Sequence, residues 1–239
     1  MPTSSQPFSF TDIQAVMIDL DGTMVDTMGD FEAALNLCLA DIDLPKVSPA
    51  VVNIAVGKGS EHLIRTVLRH QLHLPEVQAS GMVCDNTGVE NLFEPAFARY
   101  QHHYEKVNGK FADLYAGVLP GLQQLQARGL KMACLTNKPT AFAKALLADK
   151  GLAGFFSHVY GGDAFPRKKP DPMPLLETCK AFGTLPAHTL MLGDSQNDAL
   201  AARAAQCPVV LVTYGYNHGE PIQGVDCDGF VDSIAELAL

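Results

Sequence analysis

Asp19 and Asp21 stand two residues apart in Met17-Ile18-Asp19-Leu20-Asp21-Gly22-Thr23, at the end of an apolar run. On a continuing strand the two carboxylates would share one face. At the C-terminal end of a strand they would instead point into the crevice where open α/β sheets bind ligands. Gly22 lets the chain leave the strand sharply. In such a crevice the carboxylate of Asp19 could attack phosphorus and form an aspartyl phosphate. Asp21 could give a proton to the leaving alkoxide and later activate water. An acidic turn that merely faces solvent is the competing reading of so short a pattern.

Three further groups of residues supply what that chemistry lacks. In Leu135-Thr136-Asn137-Lys138 the threonine hydroxyl and nearby backbone N–H groups could hold a phosphate oxygen, unless Thr136 is simply a helix N-cap. In Arg167-Lys168-Lys169-Pro170-Asp171-Pro172 the ammonium of Lys169 could neutralise both nucleophile and phosphoryl group, while Arg167 and Lys168 read as a solvated basic turn. In Leu192-Gly193-Asp194-Ser195-Gln196-Asn197-Asp198, Asp194 could complete a Mg²⁺ site with Asp19, because this hard cation favours oxygen ligands. Asp198 is either an acid that complements a helix dipole or a support for the metal shell. Each group alone has a bland explanation. Together, in order and each after a strand signal, they supply a nucleophile, an acid/base, a hydroxyl clamp, a cation and a metal carboxylate.

The elements that must hold these groups follow from hydrophobic patterning. Short apolar runs at Ala15–Leu20, Met132–Leu135, Leu190–Leu192 and Val209–Val212 read as buried parallel strands. Helices are expected over Gly121–Arg128, Ala141–Lys150, Met173–Phe182 and Asp198–Ala205, with Gly129 and Gly151 at C-terminal caps. Between the first strand and this series, helical periodicity marks Phe31–Ala40, Glu61–Leu72 and Leu92–Val107. The expected fold is α/β, a doubly wound and mainly parallel sheet formed by residues 1–28 and 107–239, with an α-helical cap inserted over residues 29–106.

Composition narrows the partners. The 239 residues include 26 acidic and 17 basic side chains, a net charge of −9, which disfavours nucleic acid and anionic membranes as partners. No apolar run reaches the length of a membrane span, and Met1 to Phe10 shows no secretory leader, so a cytoplasmic setting is expected. The six cysteines form no close pair suited to zinc or a disulfide framework. A monomer or homodimer acting on a small-molecule phosphate ester is expected.

With DLDGT at 19–23, LTNK at 135–138, KPDP at 169–172 and GDSQND at 193–198, the chain resembles the phosphatase branch of the haloacid dehalogenase superfamily over essentially its whole length. Val56-Gly57-Lys58-Gly59 and Thr213 to Glu220 are similar to stretches of bacterial phosphoglycolate phosphatases. The resemblance implies Asp19 as nucleophile, Asp21 as general acid/base, and Thr136 and Lys169 as phosphoryl ligands. It implies Mg²⁺ held by Asp19, the backbone carbonyl of Asp21, and Asp194, with Asn137, Ser195 and Asp198 supporting. It implies 2-phosphoglycolate as substrate; a sugar-phosphate mutase, a broader small-ester phosphatase and a receiver-like phospho-accepting module are the alternatives. For the substrate carboxylate, Lys58 is the first candidate reader, since Gly57 and Gly59 permit close backbone approach, and Arg65 is the second. Both also read as solvated charges.

Overall fold

Residues 12–237 are described by the computed structural model, and the leader question at Met1 to Phe10 lies outside them. The chain runs β1 (Ala15–Ile18), β2 (Val25–Asp26), α1 (Met28–Ala40), α2 (Pro49–Ala55), α3 (Ser60–Leu72), α4 (Pro75–Ala79), α5 (Asn86–Val107) and β3 (Asp113–Leu114). It continues through α6 (Val118–Ala127), β4 (Lys131–Leu135), α7 (Thr140–Asp149), β5 (His158–Tyr160), α8 (Met173–Phe182), β6 (Thr189–Gly193), α9 (Gln196–Ala205), β7 (Val209–Val212) and β8 (Gly229–Val231).

β1, β6 and β7 are buried at every residue, as continuous apolar runs in a two-face-covered parallel sheet should be. Six strands pair in the order β5-β4-β1-β6-β7-β8, and every pair is parallel. Met17 of β1 stands opposite both Ala133 and Met191, so β1 lies between β4 and β6. Alternate residues feed opposite faces. Val16, Ile18, Leu122 and Leu146 pack into one cluster, while Met17, Leu175, Met191 and Ala202 pack into another. The α/β expectation holds. Strands β5 and β8 were not anticipated: each is short and partly exposed at a sheet edge.

Helices α1 to α5 fall between β2 and β3 and bury a separate cluster containing Phe31, Leu35, Ile64, Tyr100 and Tyr104. Pro49 and Pro75, which read as punctuation in the sequence, instead begin α2 and α4, where a missing N–H costs nothing. Helix α5 begins at Asn86, well before Leu92, because the Asp85 carboxylate caps it by accepting from Gly88 N at 3.1 Å. Gly129 and Gly151 do follow the last turns of α6 and α7, with φ of 74° and 70°.

The insert joins the sheet through an antiparallel ribbon in which Val25 opposes Leu114 and Asp26 opposes Asp113. Beside this ribbon the buried Asp30 carboxylate accepts from Gly109 N at 2.6 Å and Phe111 N at 2.8 Å. Burial raises its pKa, and the two N–H groups oppose the rise. Asp30→Ala leaves both donors without their acceptor and should cost roughly 2–4 kcal/mol. Asp30→Asn keeps one acceptor and removes a buried charge, so its cost should be smaller. Denaturant midpoints of the two variants check this order; equal losses would contradict it.

Candidate active site

Because β4, β1 and β6 are neighbours, their C-terminal ends bring three of the four sequence groups to one place, and the loop before α8 delivers the fourth. Lys169 is the centre of this convergence. Its buried ammonium lies 3.0 Å from Asp19 Oδ1, donates to Asp198 Oδ1 at 2.6 Å and donates to the Leu135 carbonyl at 2.7 Å. Burial alone would lower the Lys169 pKa, but Asp19 and Asp198 hold it above its ordinary value. The ammonium stays charged.

Asp198 does two jobs. Its Oδ2 accepts from Ser195 N at 3.1 Å and Ser195 Oγ at 2.8 Å, closing a capping box at the start of α9. Its Oδ1 meanwhile neutralises Lys169. Ser195 therefore orients Asp198. Thr136 is buried, and its hydroxyl accepts from Lys138 N at 3.2 Å. It is not the N-cap of α7, a position taken by Pro139.

Asp194 sits in a cradle that only glycines permit. A Cβ on Gly22 would lie 2.1 Å from Asp194 Oδ2, and one on Gly215 would lie 2.2 Å from Asp194 Cβ. Gly22 also has φ of +85°, a backbone conformation that side chains disfavour. Asp194 accepts from Thr23 Oγ1 at 3.1 Å and from Tyr216 N at 2.6 Å. One carboxylate oxygen each from Asp19, Asp194 and Asp198 lie within 4.8 Å of one another, all buried. Burial, then the neighbouring carboxylates, raises the Asp194 pKa strongly. Burial also lifts that of Asp19 to about 6, against the pull of Lys169. Asp19 Oδ1 has no aligned hydrogen-bond donor.

Asp21 faces a different cation. Lys138 Nζ donates to Asp21 Oδ1 at 2.9 Å and to the Tyr104 hydroxyl, and it stands 4.9 Å and 4.6 Å from the ring centres of Phe31 and Tyr104. Burial keeps the Tyr104 phenol far above its ordinary pKa, so it remains a neutral acceptor. Nothing in the sequence gives Lys138 a role of its own; its place directly after Thr136 and Asn137 is the one signal there. These groups line a small, mainly apolar cavity of about 40 Å³ between the sheet and the helical insert, together with Asp19, Thr136 and Asp194.

The loop after α2 closes this cavity. The Gly57 carbonyl accepts from Asn137 Nδ2 at 3.0 Å and Asn197 Nδ2 at 3.1 Å. Asn137 also donates to the Lys169 carbonyl at 2.9 Å, so it ties loops together. Gly57 has φ of +95°, and a Cβ there would lie 3.0 Å from the His218 ring. Asn197, His218 and Tyr216, which the sequence reading did not single out as site residues, anchor the closure. Tyr216 accepts from Thr27 N and Met28 N at the insert's first linker.

The structure does not bring Lys58 into this cavity. It is exposed and lines an outer cleft with His62, Arg65, Arg167 and Lys168, not the cavity that holds Asp19 and Asp21. The flanking glycine backbone approaches the core, and this turn leaves the intervening side chain outside. Arg65 is also diverted: it pairs with Glu90 and lies 3.6 Å from the centre of the Phe93 ring.

The comparisons with known proteins agree with this architecture. A family model described as haloacid dehalogenase-like hydrolase matches residues 16–212. A phosphoglycolate phosphatase of Thiobacillus denitrificans is 41% identical over 227 residues, covering 95% of each chain. One from Nitrosospira multiformis is 40% identical over 224 residues, covering 94% of this chain and 93% of its own. A crystal structure described as a predicted phosphoglycolate phosphatase from Haemophilus somnus superposes with a TM-score of 0.86 at 31% identity, over 95% of this chain and 97% of that one. A family-model match over residues 16–212, with relatives above 30% identity covering nearly the full length, leaves one assignment: the chain belongs to the haloacid dehalogenase-like hydrolases.

Proposed function

We propose that the protein is a Mg²⁺-dependent phosphatase that hydrolyses 2-phosphoglycolate to glycolate and phosphate. The observation that carries this reading is the small cavity lined by both Asp19, whose carboxylate lies 3.0 Å from the Lys169 ammonium, and Asp21. The names of the relatives at 41% and 40% identity support the substrate.

In this mechanism an Asp19 carboxylate oxygen attacks phosphorus while the bond to the glycolate oxygen breaks. Asp21 gives that oxygen its proton. Asp21 then takes a proton from water, whose oxygen attacks the phosphoaspartate, freeing phosphate and the Asp19 carboxylate. Lys169 offsets charge on the equatorial oxygens, and the Thr136 hydroxyl donates to one of them. Gly57 and its two asparagine partners exclude bulk water from the reaction.

The residues fit a small divalent cation. Asp19, Asp21, Asp194 and Asp198 bring four negative charges against the two ammonium groups of Lys138 and Lys169, an excess of two. Asp198 is already neutralised by Lys169, so Asp19 and Asp194, with the Asp21 backbone carbonyl, would hold Mg²⁺. When bound, the ion supplies positive charge to the oxygens of the transferring phosphoryl group. The acidic chain, and the absence among the described helices of one long and apolar enough to cross a membrane, suit a small-molecule enzyme of the cytoplasm.

Comparison of kcat/KM across 2-phosphoglycolate, hexose phosphates and an aryl phosphate tests the substrate. 2-Phosphoglycolate should lead by at least about tenfold. A hexose phosphate at the head of the series would overturn the assignment.

A further inference from the structure

We propose that Lys138 reads the substrate carboxylate, and that Tyr104 holds it in place from the insert. The inference rests on the reading of 2-phosphoglycolate as substrate and names the residue that selects it.

Among the described residues lining the cavity, Lys138 is the one cation. Its side chain is 2% exposed, which is costly for an ammonium unless its donors are used. An ammonium has three N–H groups. Asp21 takes one and the Tyr104 hydroxyl takes another, leaving one donor in an apolar cavity bounded by Phe31 and Phe142. An anion is the ligand that such a donor lacks.

The position of the ammonium sets which anion it can meet. Asp21 must touch the leaving oxygen to protonate it, and Lys138 touches Asp21 at 2.9 Å. In 2-phosphoglycolate a single methylene separates the leaving oxygen from the carboxylate. A cation adjacent to Asp21 is therefore within reach of that carboxylate, while an ester whose acid lies several carbons away would carry it past Lys138. Lys58, outside the cavity, cannot serve in this closed arrangement.

The site also spans two elements. Lys138 belongs to the loop after β4, whereas Tyr104 belongs to α5 of the insert. The ammonium is held at its final position only when insert and sheet are together. Tyr104 is thus a positioning residue, acting through Lys138.

The test compares wild type, Lys138→Met, Lys138→Arg and Tyr104→Phe on 2-phosphoglycolate, ethyl phosphate and p-nitrophenyl phosphate, with thermal melts to establish folding. Lys138→Met should weaken all three through Asp21, but it should lower the preference for 2-phosphoglycolate over ethyl phosphate by an additional 10- to 100-fold, the range of a charge-assisted hydrogen bond. Lys138→Arg should recover part of that preference. Tyr104→Phe should raise KM for 2-phosphoglycolate more than it lowers kcat, with little effect on KM for ethyl phosphate. A preference ratio unchanged in folded Lys138→Met overturns the inference. Wild-type enzyme with no preference for 2-phosphoglycolate over ethyl phosphate would instead overturn the substrate assignment beneath it.

Discussion

Asp19→Asn should lower turnover by about four to six orders of magnitude while leaving the fold intact, since groups that act as a unit fail together. The substitution exchanges one nucleophilic oxygen for an amide nitrogen of nearly equal size. It also removes a carboxylate whose pKa burial has lifted to about 6, so the ionised native form is held at an energetic cost. The variant's melting temperature should match or exceed that of the wild type. Steady-state assays with 2-phosphoglycolate, alongside melting curves, measure both effects. Turnover above about one per cent of wild type would remove Asp19 from the nucleophile's role.

Removal of divalent cations should bring activity to background, and Mg²⁺ should restore it. The excess of two negative charges at the strand ends is the physical reason, and among the described residues no ammonium pairs with Asp194 to offset it. Ligand binding to the folded state alone also raises its stability, so Mg²⁺ should raise the wild-type melting temperature. Asp194→Ala should lose most of that increment. Undiminished turnover in thoroughly metal-depleted protein would contradict the proposal.

Much of the candidate site was legible because three of its four groups follow strands that are buried up to their C-terminal ends. The apolar runs around Ile18, Leu135, Leu192 and Val212 carry a strong pattern, and the polar residue after each one must sit at the sheet's edge. Asp19, Thr136 and Asp194 converge for that reason, whereas Lys169 arrives from the loop before α8. Edge strands β5 and β8 lacked the pattern, since His158–Tyr160 and Gly229–Val231 are only partly covered. The direction of a charged side chain in a loop was not legible either. Lys58 sits between two glycines and Lys138 follows an asparagine, and nothing in their spacing indicates that the first points out and the second in. That difference arises from Tyr104 and Asp21, far away in the chain and adjacent only after folding.

The ribbon formed by Val25 with Leu114 and Asp26 with Asp113 has a consequence for how such a chain can change. Seen from the sheet, residues 27–112 form one loop whose ends already touch. The entropy of closing a loop grows only with the logarithm of its length, so a large excursion costs little more than a short one. This excursion recovers the ordering of its own residues through a separate apolar interior around Leu35, Ile64 and Tyr100. The stem is thus a joint at which a lineage could lengthen, trim or exchange a whole helical unit without shifting the register of any sheet strand.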